Sequence, residues 1–430
     1  MRQVIHVIAE YIRCRNSRHL FTDQKALLEV LKLKVKLAGL EIVAEAGYGF
    51  GDGGGVTASV VLAESHLNIH TWPERDFYLN LDISVCNYEQ DNTNKALVLA
   101  QSLKDLFEPL DVNEKIIKGY RDFEDDKYTE YFSKDYGFFI KPEAILYKSE
   151  DSLQEVEVYH TKDFGRLLRI DKFYQTSEED EHFYHEPLVQ PAMTAHERPE
   201  QVLIIGAGDG GVLANVLKHN TVKRAVMVEI DDRVIEVSKR FLPAVHQGAF
   251  KDPRTELIIG DGFKYLAQTK ERFDVIILDL TDPIGPARSL YTKEFYETVK
   301  GAMKGPESIL SLHTVYPFFH PAVFGRIGVT LASVFGQVAH GLQFVPLYGA
   351  EMGFAFCSAQ TQVDHQSVDL IEQRLKDRGV TGLKLYNGRT HQGLTAQPPF
   401  VANLLAGDFQ VITKESGIDE FDQTYNVARN

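Results

Sequence analysis

From Gln201 onward the chain repeats strand, turn and helix. Apolar runs at 202–205, 225–230, 256–259, 275–278 and 309–313 are too uniform for half-exposed strands and read as strands buried on both faces. That alternation predicts an α/β, Rossmann-like, doubly wound parallel sheet, whose ligands bind beyond the strand carboxyl ends. Two motifs close such runs: the glycine turn Gly206-Ala207-Gly208-Asp209-Gly210-Gly211, and Asp279-Leu280-Thr281-Asp282-Pro283.

Ahead of this sheet, alternating runs at 156–160 and 166–170 predict a small antiparallel β domain over 137–187. Residues 1–120 read as a separate α+β unit. Its predicted strands cover 4–12, 40–46, 56–63, 67–71 and 77–85, and its helices 22–37 and 94–107. The charged stretch 121–136 reads as a linker, 188–410 as the catalytic Rossmann-like domain and 411–430 as a tail. At 430 residues, two or three domains are expected.

The formal net charge of −15 argues against a nucleic-acid partner and suits cationic small molecules, although acidity also serves solubility. Three cysteines cannot build a disulfide framework and fit a reducing, cytoplasmic setting. No apolar run is long enough to span a bilayer, so no membrane partner is expected.

The acids in the motifs narrow the ligand. Glu229 closes the second strand, 20 residues after Asp209, where a carboxylate can grip ribose hydroxyls. Asp261-Gly262 closes the third, where Asp261 could bind an adenine amino group. Asp209 inside the glycine turn would repel a pyrophosphate but attract a sulfonium or ammonium. The ligand is therefore expected to be an adenosine carrying positive charge. Taken singly, Asp279 and Asp282 could equally cap the next helix.

In combination these motifs resemble the spermidine synthase family of aminopropyltransferases. The resemblance rests on Gln154, Gln175, the run Asp180-Glu181-His182-Phe183-Tyr184-His185-Glu186, the glycine turn, Glu229, Asp261-Gly262, the Asp279 motif and the segment from Leu290 to Tyr296. It implies decarboxylated S-adenosylmethionine as donor, held by Gln154, His185, Asp209, Glu229, Asp261 and Gly262. It implies an amine acceptor bound by Tyr184, Asp282 and Tyr348, with Asp279 as the proton acceptor. No metal is needed, because the sulfonium is already a good leaving group. The family pattern has Ser or Thr where Leu280 stands, and Gln where His313-Thr314-Val315-Tyr316 begins. Glu351 adds an acid that could pair with a longer amine or simply face solvent. Putrescine is the first expectation for the acceptor, with agmatine or spermidine as alternatives.

The segment Glu64-Ser65-His66-Leu67-Asn68-Ile69-His70-Thr71-Trp72-Pro73-Glu74, with Cys86 beyond it, resembles bacterial S-adenosylmethionine decarboxylase proenzymes. The resemblance implies self-cleavage between Glu64 and Ser65: Ser65 attacks the Glu64 carbonyl to form an ester, and His70 then assists the elimination that leaves a pyruvoyl group at residue 65, which forms a Schiff base with substrate. It implies Cys86 as proton donor, and Glu74 and Phe50 near the substrate. Without it, Ser65, His70 and Cys86 could suggest a hydrolase triad. His66, His70 and Cys86 could suggest zinc, but no cysteine pair accompanies them. The segment before Cys86 is bulkier than the family pattern.

The expected whole is a bifunctional, homo-oligomeric (dimeric or tetrameric) enzyme of polyamine synthesis that decarboxylates S-adenosylmethionine and transfers the aminopropyl group. The alternative keeps the transferase and reduces the first domain to a non-catalytic or altered-specificity dimerisation module. An ordinary methyltransferase is disfavoured by Asp209, Asp279 and Asp282.

Overall fold

A computed structural model describes residues 4–63, 65–87, 92–118, 127–133, 135–149, 154–283 and 285–418. The chain parts into two compact units between Lys127 and Tyr128.

The first unit runs β1 (Val4–Cys14), α1 (Gln24–Leu37), β2 (Ile42–Gly49), β3 (Val56–Leu62), β4 (Ser65–Trp72), β5 (Tyr78–Cys86), α2 (Thr93–Phe107) and β6 (Pro109–Lys118). The strands form one antiparallel sheet in the order β2-β3-β4-β5-β1-β6. Alternate residues such as Val7, Leu67, Ile69, Leu81 and Ile83 are buried against Leu27, Leu31 and Val35 of α1 and Leu99, Leu103 and Phe107 of α2. Strand alternation therefore sends His6, His66, His70 and Asp82 to the face away from the helices. The predicted first helix over 22–37 begins instead at Gln24, where the Asp23 side chain accepts from Ala26 N at 3.0 Å. Strand β6 had no sequence signal. It is a charged edge strand, exposed along most of its length, so it carries no alternation to read.

The second unit opens with a hairpin of β7 (Tyr128–Tyr131) and β8 (Gly137–Ile140), so a strand occupies part of the stretch expected as linker. Strands β9 (Ala144–Lys148), β10 (Val156–Thr161), β11 (Gly165–Ile170) and β12 (Phe173–Ser177) make the small antiparallel sheet, ordered β12-β11-β10-β9. Then come α3 (His182–Ala195), β13 (Gln201–Gly206), α4 (Gly211–Leu217), β14 (Arg224–Glu229), α5 (Asp232–Phe241), α6 (Pro243–His246), β15 (Thr255–Ile259), α7 (Gly262–Gln268), β16 (Val275–Asp279) and α8 (Lys293–Gly301). The chain continues through β17 (Ile309–His313), α9 (Pro321–Ala332), β18 (Gln337–Val345), β19 (Ala350–Ser358), α10 (Val368–Asp377), α11 (Gly388–Thr395) and α12 (Pro399–Leu405).

The main sheet has the order β15-β14-β13-β16-β17-β19-β18. Its first five strands are parallel, as expected. The last two form an antiparallel hairpin, so the sheet is mixed rather than wholly parallel. Four residues, 346–349, join β18 to β19, far too few for the crossover that a parallel pair needs. Residues 411–418, expected as part of a tail, return to the core through buried Ile412 and Ile418.

Candidate active sites

In the second unit the sheet places Gly206 and Asp279 side by side at the carboxyl ends of β13 and β16. The turn passes so close that a Cβ on Gly206 would lie 2.0 Å from the Asp279 carbonyl oxygen, and its φ of +85° is one that glycine adopts freely. A Cβ on Gly211 would lie 2.2 Å from the His185 ring, so a bare backbone lets α3 bring that imidazole onto the start of α4.

His185 is buried between two acids. Its Nδ1 lies 2.9 Å from Glu181 Oε2 and its Nε2 lies 3.3 Å from Asp209 Oδ2. Burial opposes a charge on the ring, but Asp209 and then Glu181 outweigh it and hold the pKa well above the ordinary histidine value. Asp209 Oδ1 also accepts from Gly211 N at 2.7 Å. Despite its burial, Asp209 keeps a lowered pKa because His185 and this amide stabilise its carboxylate.

The preceding residue of α3 serves the other motif. Tyr184 donates its phenol proton to Asp279 Oδ1 at 2.6 Å, and its own phenol oxygen lies 2.5 Å from His313 Nδ1. Behind His313, Tyr291 Oη lies 3.3 Å from Nε2 and 3.1 Å from the Thr281 carbonyl. Burial, then the nearby Asp209 charge, raise the Asp279 pKa to about 6. Burial pushes His313 down to about 4, so that ring is neutral.

Tyr348 donates to the Gln175 carbonyl at 2.7 Å, and its ring centroid lies 5.8 Å from that of Tyr184. Asp180 fixes this loop to the start of α3. It accepts from Ser177 Oγ at 2.6 Å and from Leu347 N at 2.7 Å. Asp282 is half-buried, and its charge contributes to raising Glu130 and Tyr291. Glu130, on β7, is buried and accepts from Tyr174 N at 2.7 Å. Desolvation lifts its pKa to about 8. Glu351 is exposed on β19, the solvent-facing alternative.

Glu229 closes β14 beside the glycine turn; its Oε2 would be 3.1 Å from a Cβ on Gly208. Its Oε1 accepts from Asp231 N at 3.0 Å, and burial raises its pKa to about 7. Asp261 caps α7, accepting from Phe263 N at 2.9 Å and Lys264 N at 3.2 Å. Gly262 has a packing reason: a Cβ there would lie 2.3 Å from Ile205 Cγ2. Gln154 precedes β10 in the small sheet. Glu130 and His313 were not among the expected site residues. Glu130 sits in a charged run with no pattern to single it out, while His313 was visible as a departure from the family pattern.

The first unit carries two separate clusters. At one end of β4, His70 stacks on Trp72 with ring centroids 3.9 Å apart and on Phe50 at 5.4 Å; its Nδ1 lies 3.1 Å from Thr57 Oγ1. Burial lowers the His70 pKa, and the nearby Glu74 charge opposes that shift. At the other end, Ser65 begins β4 and pairs with Val85, the neighbour of Cys86. Ser65 Oγ lies 3.4 Å from His66 Nδ1. His70 is five residue steps along the strand from Ser65, about 17 Å at the usual rise, and alternation turns them to opposite faces. In the ladder Cys86 follows the residue paired with Ser65, whereas His70 stands at the far end of the strand. Glu64 lies outside the described residues. Among the described residues no helix is long and apolar enough to cross a membrane.

Comparison with known proteins agrees with this layout. The spermine/spermidine synthase domain matches residues 181–367, the spermidine synthase tetramerisation domain 128–178, and S-adenosylmethionine decarboxylase 5–115. The polyamine aminopropyltransferase of Nitrosomonas europaea is 41% identical over 298 residues, covering 69% of this chain and 91% of that protein. Polyamine aminopropyltransferase 1 of Hyperthermus butylicus is 41% identical over 263 residues, covering 60% and 89%. Among solved structures, spermidine synthase with the transition-state analogue AdoDATO aligns with TM-score 0.61 at 33% identity, covering 65% of this chain and 94% of that one. Spermidine synthase from Thermotoga maritima aligns with TM-score 0.60 at 33% identity, covering the same shares. The fold and these likenesses define a transferase of polyamine synthesis. The chain belongs to the polyamine aminopropyltransferase family and carries an S-adenosylmethionine decarboxylase domain fused ahead of it.

Proposed function

We propose that this one chain both makes and uses its aminopropyl donor, decarboxylating S-adenosylmethionine in the first unit and transferring the aminopropyl group to putrescine in the second. The observation that carries the transfer is the meeting of two motifs on adjacent strands. Asp209 with His185 lies on one side, Asp279 with Tyr184 on the other. The donor's nucleoside would lie along Glu229, Asp261 and Gln154, with its sulfonium drawn by the acids around the glycine turn. The amine would lie along Tyr348 and Asp282, its attacking nitrogen beside Asp279. An amine attacks only once it has lost a proton, and an Asp279 with a pKa of about 6 is ionised at neutral pH and ready to take it. Held in line, nitrogen and donor carbon react with loss of methylthioadenosine, so most of the acceleration comes from positioning.

For the first unit, the residues fit a self-generated pyruvoyl group. Ser65 begins β4 opposite Leu62, with only residues 63–64 between the strands, an imidazole beside its hydroxyl and Cys86 one residue beyond its ladder partner. Such a group supplies an electron sink for decarboxylation. Cys86 would deliver a proton, while Phe50 and Glu74 would line the nucleoside. Since His70 is remote from Ser65 in one chain, a His70 that assists the elimination at residue 65 must come from a second copy, which makes the working unit a homo-oligomer.

That same separation favours a second reading, in which the first unit never cleaves and only assembles the transferase. Intact mass of the purified protein separates the two. Two chains split at residue 64, with carbon dioxide released from S-adenosylmethionine, support the first reading; one uncleaved chain ends it. Supplying decarboxylated S-adenosylmethionine with putrescine, agmatine or spermidine then reads acceptor choice. A preference for a longer amine would end the putrescine assignment, and S-adenosylhomocysteine as product would end the transfer mechanism.

A further inference from the structure

The face of the first sheet that turns away from its helices carries a connected set of groups with no assigned role. His6 on β1 and His66 on β4 both stand opposite Ser84 of β5, one from each side. Alternation puts Asp82, two residues along β5, on the same face and between them. Its Oδ1 lies 2.5 Å from His6 Nε2 and its Oδ2 lies 3.5 Å from His66 Nε2. The other nitrogen of His66, Nδ1, lies 3.4 Å from Ser65 Oγ. Serine, imidazole and carboxylate therefore stand in the order of a hydrolase relay, with a second imidazole fixing the carboxylate.

We infer that His66, oriented by Asp82 and His6, is the base that takes the Ser65 hydroxyl proton when the chain cuts itself. This rests on the self-cleavage reading above and adds a residue to it. With the Asp82 carboxylate 3.5 Å from Nε2, the ring proton is favoured on that nitrogen, which leaves Nδ1 unprotonated toward Oγ, the tautomer a base requires. As Oγ bonds to the carbonyl carbon of the preceding residue, its proton passes to His66 Nδ1. The C–N bond to residue 65 then breaks, and His66 returns the proton to that nitrogen, which becomes a free amine. The product is an ester on Ser65 Oγ, with every proton accounted for and no outside reagent. His70, which would have to come from a second copy, is left for the later elimination at residue 65, so the two histidines of the motif have different steps.

The test follows cleavage of the freshly translated full chain on denaturing gels. His66→Ala should slow cleavage about a hundredfold, the usual scale for removing a general base, and Asp82→Asn about tenfold. Millimolar imidazole should restore cleavage in His66→Ala but not in Ser65→Ala, which also shows that the variant has folded. In His70→Ala an ester should accumulate and be cut by hydroxylamine; adding His66→Ala should abolish that product. Wild-type cleavage in His66→Ala overturns the inference and leaves self-cleavage standing. Cleavage that stops on chelation with EDTA also overturns it, because the cluster would then be holding a metal ion. A wild-type chain that stays whole removes the self-cleavage reading itself.

Discussion

Tyr184 and Asp279 share a 2.6 Å hydrogen bond in which the phenol has one proton to give, while His313 Nδ1 stands 2.5 Å from the same oxygen. With Asp279 ionised that proton belongs to the carboxylate, so neutral His313 must carry its own proton on Nδ1 and donate to Tyr184. Its Nε2 is then unprotonated, 3.3 Å from Tyr291 Oη, whose own proton is directed to the Thr281 carbonyl.

Removing this support has a defined effect on pH dependence. His313→Ala should lower kcat about tenfold while leaving the donor KM near wild type. It should also move the acid limb of kcat upward from about pH 6, since a less well-supported Tyr184 stabilises the Asp279 carboxylate less. Steady-state rates between pH 5 and 9 read this, and an unmoved acid limb would show His313 to be packing only.

Asp209→Asn separates donor binding from proton transfer. The charge of His185 loses its stronger electrostatic support, and the donor KM should rise on the order of a hundredfold, with the amine KM little changed. The Asp209 charge is one of the causes that raise Asp279, so its removal should shift the acid limb at saturating donor to lower pH. A limb that moves up instead would contradict the electrostatics argued above.

Glu130 makes a prediction about stability. Its folded pKa of about 8 stands above the ordinary 4.5, so the folded chain holds a proton that the unfolded chain has lost. Stability from this group is full below about pH 4.5 and falls as pH rises through 8. Glu130→Gln, neutral at every pH and still able to accept from Tyr174 N, should gain about 4 kcal/mol on wild type by pH 8. The gap should close near pH 5 in denaturant titrations; a gap that ignores pH would rule out a buried neutral carboxyl.

Glu186, quoted in the family motif, has a structural task. Its carboxylate accepts from Lys384 N, Leu385 N and Tyr386 N at 2.8, 2.8 and 2.7 Å. Glu186→Ala should leave these amides without their partner and cost about 3 kcal/mol in chemical denaturation. Amine and donor KM should stay put in the fraction that folds.

What could be read from the sequence followed what burial imposes. The apolar runs at 202–205 and 275–278 cannot be anything but interior strands, and the motifs at their ends follow from topology. Strand β6 could not be read, because an edge strand bathed in solvent leaves no alternation. The β18–β19 hairpin reverses the expected direction for a reason that lies in a four-residue connection rather than in the strands. Within the site, Asp209 and Asp279 announced themselves by sign and place. The partnership of Tyr184 with His313 joins residues 129 apart and exists only as a distance. The separation of Ser65 from His70 could have been worked out from strand rise alone, once residues 65–72 were taken as one strand.

Tyr184 and His185 are consecutive residues on α3, yet one reaches Asp279 and the other the glycine turn. Any slide or roll of that helix shifts both contacts together, so under the function proposed above the helix is a poor place for specificity to drift. Descendants of this enzyme that adopt a different amine would be expected to leave α3 untouched. They would diverge instead where the acceptor is met separately, in the connection at 346–349 and at the end of β17.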